Sequence, residues 1–131
     1  MTGDFDGGEG TSSVLIKVVL RMQRAYGLGD LEMAEILGIT PADLRFIADG
    51  GATHEEGTPV LDRAAVFVSA VVALEAVVGG NKGNARAWLI AANLDMGGAR
   101  PLDLLRTTDG ALEVLAYLEA VREARPGFFD P

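Results

Sequence analysis

The sequence predicts an all-α fold, and three observations predict it. Apolar residues recur at helical spacing through most of the chain. No run alternates apolar and polar residues for long enough to make a strand. Glycine and proline punctuate the periodic stretches about once per short helix. With 131 residues, 49% of them hydrophobic, the chain has material for one compact unit or two small fused ones. About seven helices are expected.

Residues 1–10 are acidic and glycine-rich, and are expected to form a disordered tail. They lack the basic and apolar regions of a signal peptide. Val14, Leu15, Val18, Val19 and Met22 mark a stripe that predicts a first helix from Ser13 to Tyr26, ended by Gly27 and Gly29. The second helix is expected over Leu31–Leu37, with Asp30 as N-cap and Gly38 as stop. The third opens on "TPAD", where Thr40 caps, Pro41 takes the first turn and Asp43 holds the capping-box position, and it ends near Asp49. The loop "GGATHEEG" then marks a subdomain boundary, separating a region 11–57 from a region 58–131.

Thr58 and Pro59 repeat the cap-and-first-turn pair and launch the longest helix, which runs to about Val78. Its segment 64–78 is apolar on all sides but for Glu75. That is too short for a membrane span, which needs about 20 apolar residues. It is expected to be buried on several sides, either as a central core helix or against a partner chain. A fifth helix follows over Asn84–Ala91. The stretch "MGGARPLDLL", residues 96–105, then reads as a sharp turn. Gly97 and Gly98 tolerate positive φ, and Pro101 is preset for the first turn of a short helix over Leu102–Arg106. Asp103 places negative charge at that helix's N-terminus. Thr107 or Thr108 caps a last helix with Ala111, Val114, Leu115, Leu118 and Val121 on one face. Pro126 and Gly127 end it.

Residue chemistry argues against an enzyme. His54 is the chain's one histidine, and with Glu55 and Glu56 it lies in a loop of adjacent residues that makes no preformed ligand set, so no metal is expected. No histidine is placed to activate Ser12, Ser13 or Ser69. "GLGDLE" and "GGNKGN" lack the spacing of dinucleotide and phosphate loops, so no cofactor is expected. The absence of cysteine excludes disulfides and fits a reducing cytoplasm. A net charge of −8 opposes nonspecific attraction to nucleic acid. These observations together describe a binding module.

Two resemblances sharpen that reading. "LEMAEILGITPADLRFIADGG" resembles a helix-turn-helix, with Gly38 in the turn and Ile39 and Leu44 as core anchors; a plain αα-hairpin is the alternative. Its second helix offers Thr40 and Arg45 as candidate DNA contacts, but Asp43 and Asp49 stand beside them and would repel phosphate. From Asp62 onward, "ARAWLIAANLDMGGARPLDLLRTTDGALEVLAYL" follows a long apolar helix. It carries Ala85, Arg86, Trp88, Leu89, Asn93, Gly97, Gly98, Pro101, Leu104, Leu105, Thr107, Gly110 and Ala111 in order and at matching spacing. This half of the chain is similar to the C-terminal toxin-binding domain of the Xre/MbcA/ParS bacterial antitoxins.

The resemblance implies an antitoxin whose partner is a RES-domain toxin that consumes NAD or transfers ADP-ribose from it. It implies neutralisation by covering the toxin's active-site cleft, homodimers, and repression of the antitoxin's own operon. On the acidic second helix, operator binding by the protein alone is expected to be weak. Arg86, Trp88, Asn93, Gly97, Gly98, Arg100 and Pro101 are the expected toxin-binding residues. Trp88 is expected in the core at the edge of that interface. The two glycines either present a close-fitting backbone turn to the toxin or permit tight packing between helices. Phe128, Phe129 and Asp130, in the tail after the last helix, either enter the toxin's cleft, rings in apolar subsites and carboxylate near cations, or cap the domain's own end. A free-standing helix-turn-helix regulator and a helical adaptor with another partner are the alternatives.

Overall fold

The computed structural model describes residues 6–50 and 59–124, with side chains from Val14 onward. Seven α-helices and one 3₁₀ turn make up these residues, and no strand occurs among them. The helices are α1 (Asp6–Ala25), α2 (Asp30–Leu37), α3 (Pro41–Ala48), α4 (Pro59–Val77), α5 (Lys82–Ile90), α6 (Pro101–Leu104) and α7 (Thr108–Ala124), with the 3₁₀ turn Leu94–Met96 between α5 and α6. Two compact units, Met1–Val68 and Ser69–Pro131, divide within α4.

In the first unit, α1 begins at Asp6, well before the expected Ser13, so residues 6–10 are helix. Extending a helix already anchored by packing adds a hydrogen bond per residue without a new nucleation cost. The buried stripe is also rotated from the one expected. Ile16, Val19 and Tyr26 are buried, whereas Val14 is 59% exposed. The reason is that the α2–α3 pair lies on the side to which Ile16 points: Ile16, Ile47 and Leu61 share a core cluster, flanked by Leu15, Leu20 and Ile39. Gly27, at φ 67°, ends α1 as expected. Gly29 instead caps α2, its N–H donating to Glu32 Oε1 at 3.0 Å, and Asp30 is the first helical residue rather than the cap. Gln23 braces this junction, donating from Nε2 to the Leu28 carbonyl and to Asp30 Oδ1.

Gly38 ends α2 in the left-handed conformation, and Thr40 caps α3 by accepting from the Asp43 N–H at 3.1 Å, both as the sequence predicts. Arg63 reaches back from α4 to the end of α2. Its Nε donates to the Ile36 carbonyl at 2.9 Å and its Nη2 to the Glu35 carbonyl at 3.1 Å. A cation at a helix C-terminus meets both the unpaired carbonyls and the negative end of the dipole. The cap expected at Thr58, His54 and the rest of residues 51–58 lie outside the described residues.

In the second unit, Asn81 caps α5 through the Asn84 N–H at 2.8 Å. Thr107 caps α7 through the Gly110 N–H at 3.0 Å, which decides between the two expected threonines. Ala111, Val114 and Leu118 form the buried stripe of α7, while Leu115 and Val121 are half-buried. In the part of α4 that belongs to this unit, Ala70, Val71, Ala73 and Leu74 are buried and Val72 is 49% exposed; Phe67, in the first unit's part, is buried. Among the described residues, no helix is long and apolar enough to cross a membrane.

Candidate functional site

The segment between α5 and α7 is built around one residue, Asn93. Its N–H donates to the Ala99 carbonyl at 3.0 Å, and its own carbonyl accepts from Gly98 at 2.9 Å and Met96 at 3.0 Å. Its side-chain Oδ1 accepts from the Asp95 N–H at 2.9 Å. The backbone from 93 to 99 is thereby closed into a small ring of hydrogen bonds, an Asx-type turn continued by one 3₁₀ turn. Leu94, at its apex, is 93% exposed.

Gly97 and Gly98 take φ 70° and 85° inside this ring. A Cβ built on either would meet no heavy atom within 4 Å. Glycine is present for the left-handed backbone, which costs other residues about 1–2 kcal/mol, and not for close helix packing. Among the described residues, nothing packs tightly against either glycine, tight packing being the second of the two reasons the sequence leaves open. Gly110 is the opposite case. It is buried at the start of α7, and a Cβ there would collide with the Leu104 carbonyl oxygen and Thr107 Oγ1. Thr107 and Gly110 thus supply a cap and a close approach together: Thr107 closes the helix end, and Gly110 admits the end of α6.

Side chains pin the turn. Trp88 is half-buried and stacks on Tyr117 of α7, ring centroids 6.1 Å apart and planes 17° from parallel. Tyr117 Oη donates to Asp95 Oδ2 at 2.8 Å. Arg100, the N-cap residue of α6, forks onto Asp103, with Nε to Oδ2 at 2.9 Å and Nη2 to Oδ1 at 2.8 Å. Arg106 Nη1 approaches Oδ1 of the same carboxylate at 3.5 Å. These guanidinium groups, Arg100 first through its hydrogen bonds, hold the Asp103 carboxyl below its ordinary value.

The structure therefore brings together Trp88, Asn93, Gly97, Gly98 and Arg100 around one turn. Arg86 is exposed on α5, while Pro101 is buried as the first residue of α6, where it serves the fold. Phe128, Phe129 and Asp130 lie outside the described residues. In the first unit, the Thr40 hydroxyl is engaged as a cap, and Arg45 pairs with Asp30 at 3.1 Å, both side chains largely exposed. Sequence reasoning missed Leu94, Asp95 and Tyr117. A signal for the first two was present in "NLD", where an Asx-turn residue precedes an apolar residue that fits no helical stripe.

The fold and this turn describe a helical domain with a preformed backbone turn on its surface. Residues 73–123 match the family described as the antitoxin Xre/MbcA/ParS C-terminal toxin-binding domain. That segment is similar to the toxin-binding domain of the Xre/MbcA/ParS antitoxins, as the resemblance implied, and the turn lies within the match. No curated protein matches the chain.

Proposed function

We propose that the protein is a non-enzymatic, cytoplasmic antitoxin that binds a RES-domain toxin and inhibits it by covering the cleft in which the toxin consumes NAD or transfers ADP-ribose. One observation carries this reading: the segment that matches a toxin-binding domain also contains the preorganised turn 93–99. Internal hydrogen bonding of the turn removes the ordering cost that a loose loop incurs on binding. Arg86, Trp88, Gly97, Gly98 and Arg100 contribute to or border the contact surface, with Asn93 and Pro101 acting through the geometry of the turn. The tail with Phe128, Phe129 and Asp130 enters the cleft, since a site that receives NAD phosphates carries cations.

A homodimer belongs to the same reading, motivated by the apolar helix α4. Autorepression belongs to it in a weak form. Thr40 and Arg45 already have partners within the chain, and the neighbouring carboxylates oppose phosphate, so operator binding depends on assembly with the toxin. Co-expression with the protein encoded by the adjacent gene tests the reading. Restored growth and co-purification of the two chains are expected. Unrelieved toxicity with no complex would overturn it and leave the free-standing regulator or the adaptor.

A further inference from the structure

We propose that Leu94 is the apolar anchor of the toxin-binding domain and that it inserts into an apolar pocket on the toxin. This rests on the antitoxin reading above and goes beyond it by naming the anchoring side chain and the kind of pocket that receives it.

Three observations support it. Leu94 is 93% exposed, against 37% for Ile90 and 46% for Leu112, the other large apolar side chains exposed in the matched segment. Among the described residues its side chain has almost no packing role. Its backbone, in contrast, is held on both sides, by the Asn93–Ala99 and Gly98–Asn93 hydrogen bonds and by the Asp95 N–H on Asn93 Oδ1. An apolar side chain fully presented to water on a fixed turn has the properties of a preorganised anchor. The third observation is the polar setting. Asp95 follows directly, its carboxylate held by Tyr117, so the apolar tip carries an acidic rim on one side. The complementary pocket is apolar at its floor with hydrogen-bond donors or a cation at its lip. A positive toxin surface also suits the chain's net charge of −8.

Burying a leucine completely is worth about 1.5–3 kcal/mol, and each 1.4 kcal/mol is tenfold in affinity. Leu94→Ala is therefore expected to weaken binding to a RES-domain toxin, the protein of the adjacent gene being the probe, by at least about tenfold in titration calorimetry. Leu94→Met, which keeps the apolar bulk, should stay within about threefold of wild type, and Leu112→Ala should bind as wild type. All three variants are expected to keep the wild-type melting temperature and sedimentation coefficient. Wild-type affinity in Leu94→Ala would overturn the anchor while leaving the antitoxin reading intact. A clear fall in its melting temperature would assign Leu94 to the fold, and an altered sedimentation coefficient would assign it to self-association; either overturns the proposal. No binding by the wild-type chain would defeat the antitoxin reading itself, and the anchor with it.

Discussion

Gly110 and Asn93 show two ways in which a single residue determines a junction. At Gly110 the constraint is space. Gly110→Ala drives a methyl group into the Leu104 carbonyl, a backbone atom that cannot rotate aside. Overpacking of this kind costs about 1–3 kcal/mol, and a value at the upper end is expected in urea denaturation. At Asn93 the constraint is an acceptor. Asn93→Ala leaves the Asp95 N–H without its side-chain partner, and a loss of about 1 kcal/mol is expected from the same measurement. Asp103 is a matter of charge. Its carboxyl titrates below the ordinary 3.8 because Arg100, and more weakly Arg106, favour the ionised form. Its contribution is thus present above that ordinary value and is lost as pH falls through the lower folded value. The group is well exposed, so the effect is bounded at about 1 kcal/mol. Asp103→Asn should lower stability at pH 7, and its stability should converge on that of wild type as both are titrated toward pH 2.

At the scale of elements, α4 separates two questions that its apolar sequence merges. Val71 is 1% exposed within the chain, so Val71→Asp places a carboxylate in a position shut off from water. The expected cost is several kcal/mol, seen as loss of the folded state by circular dichroism. Val72, half exposed on the same helix, is the residue that probes self-association. If α4 forms a homodimer contact, Val72→Asp should stay folded and sediment as a monomer. A wild-type chain that sediments as a monomer at all concentrations would end the dimer proposal. The caps of α3 and α7 were legible because each is written locally, as a threonine accepting from a backbone N–H three residues on. The rotated stripe of α1 was not. Val14, Leu15, Ile16, Val18, Val19 and Leu20 offer apolar residues on nearly every side, and only the packing of Ile16 with Ile47 and Leu61 selects the buried face.

At the scale of the whole molecule, the acidic balance bears on partners more than on fold. The first sixty residues carry ten acidic and four basic side chains, and Arg45 is paired with Asp30. On the proposed autorepression, affinity of the isolated protein for operator DNA is expected to be micromolar or weaker at physiological salt and to fall further as salt rises. Nanomolar binding in a mobility-shift titration would show that this surface has been misjudged. Truncation after Arg125 should leave the helices folded and weaken neutralisation of the toxin. Undiminished affinity would place inhibition in the turn 93–99 and its surroundings rather than in the tail.

The sequence by itself determined the helical class, most helix ends, the left-handed glycines and the antitoxin-type segment. Each of these is encoded within a few neighbouring residues: a period, a cap, a φ, a motif. The turn at 96–101 was legible as a turn for that reason. Tertiary structure decided what such local signals leave open. It showed that Gly97 and Gly98 face open space while Gly110 lies under a carbonyl, that Pro101 is buried, and that Arg63 closes the end of α2 from a distant helix. It also stacked Trp88 on Tyr117 and tied Tyr117 to Asp95, which leaves Leu94 on a braced apex. These contacts join residues far apart in the chain, and their partners are selected by packing, which no local period or spacing records.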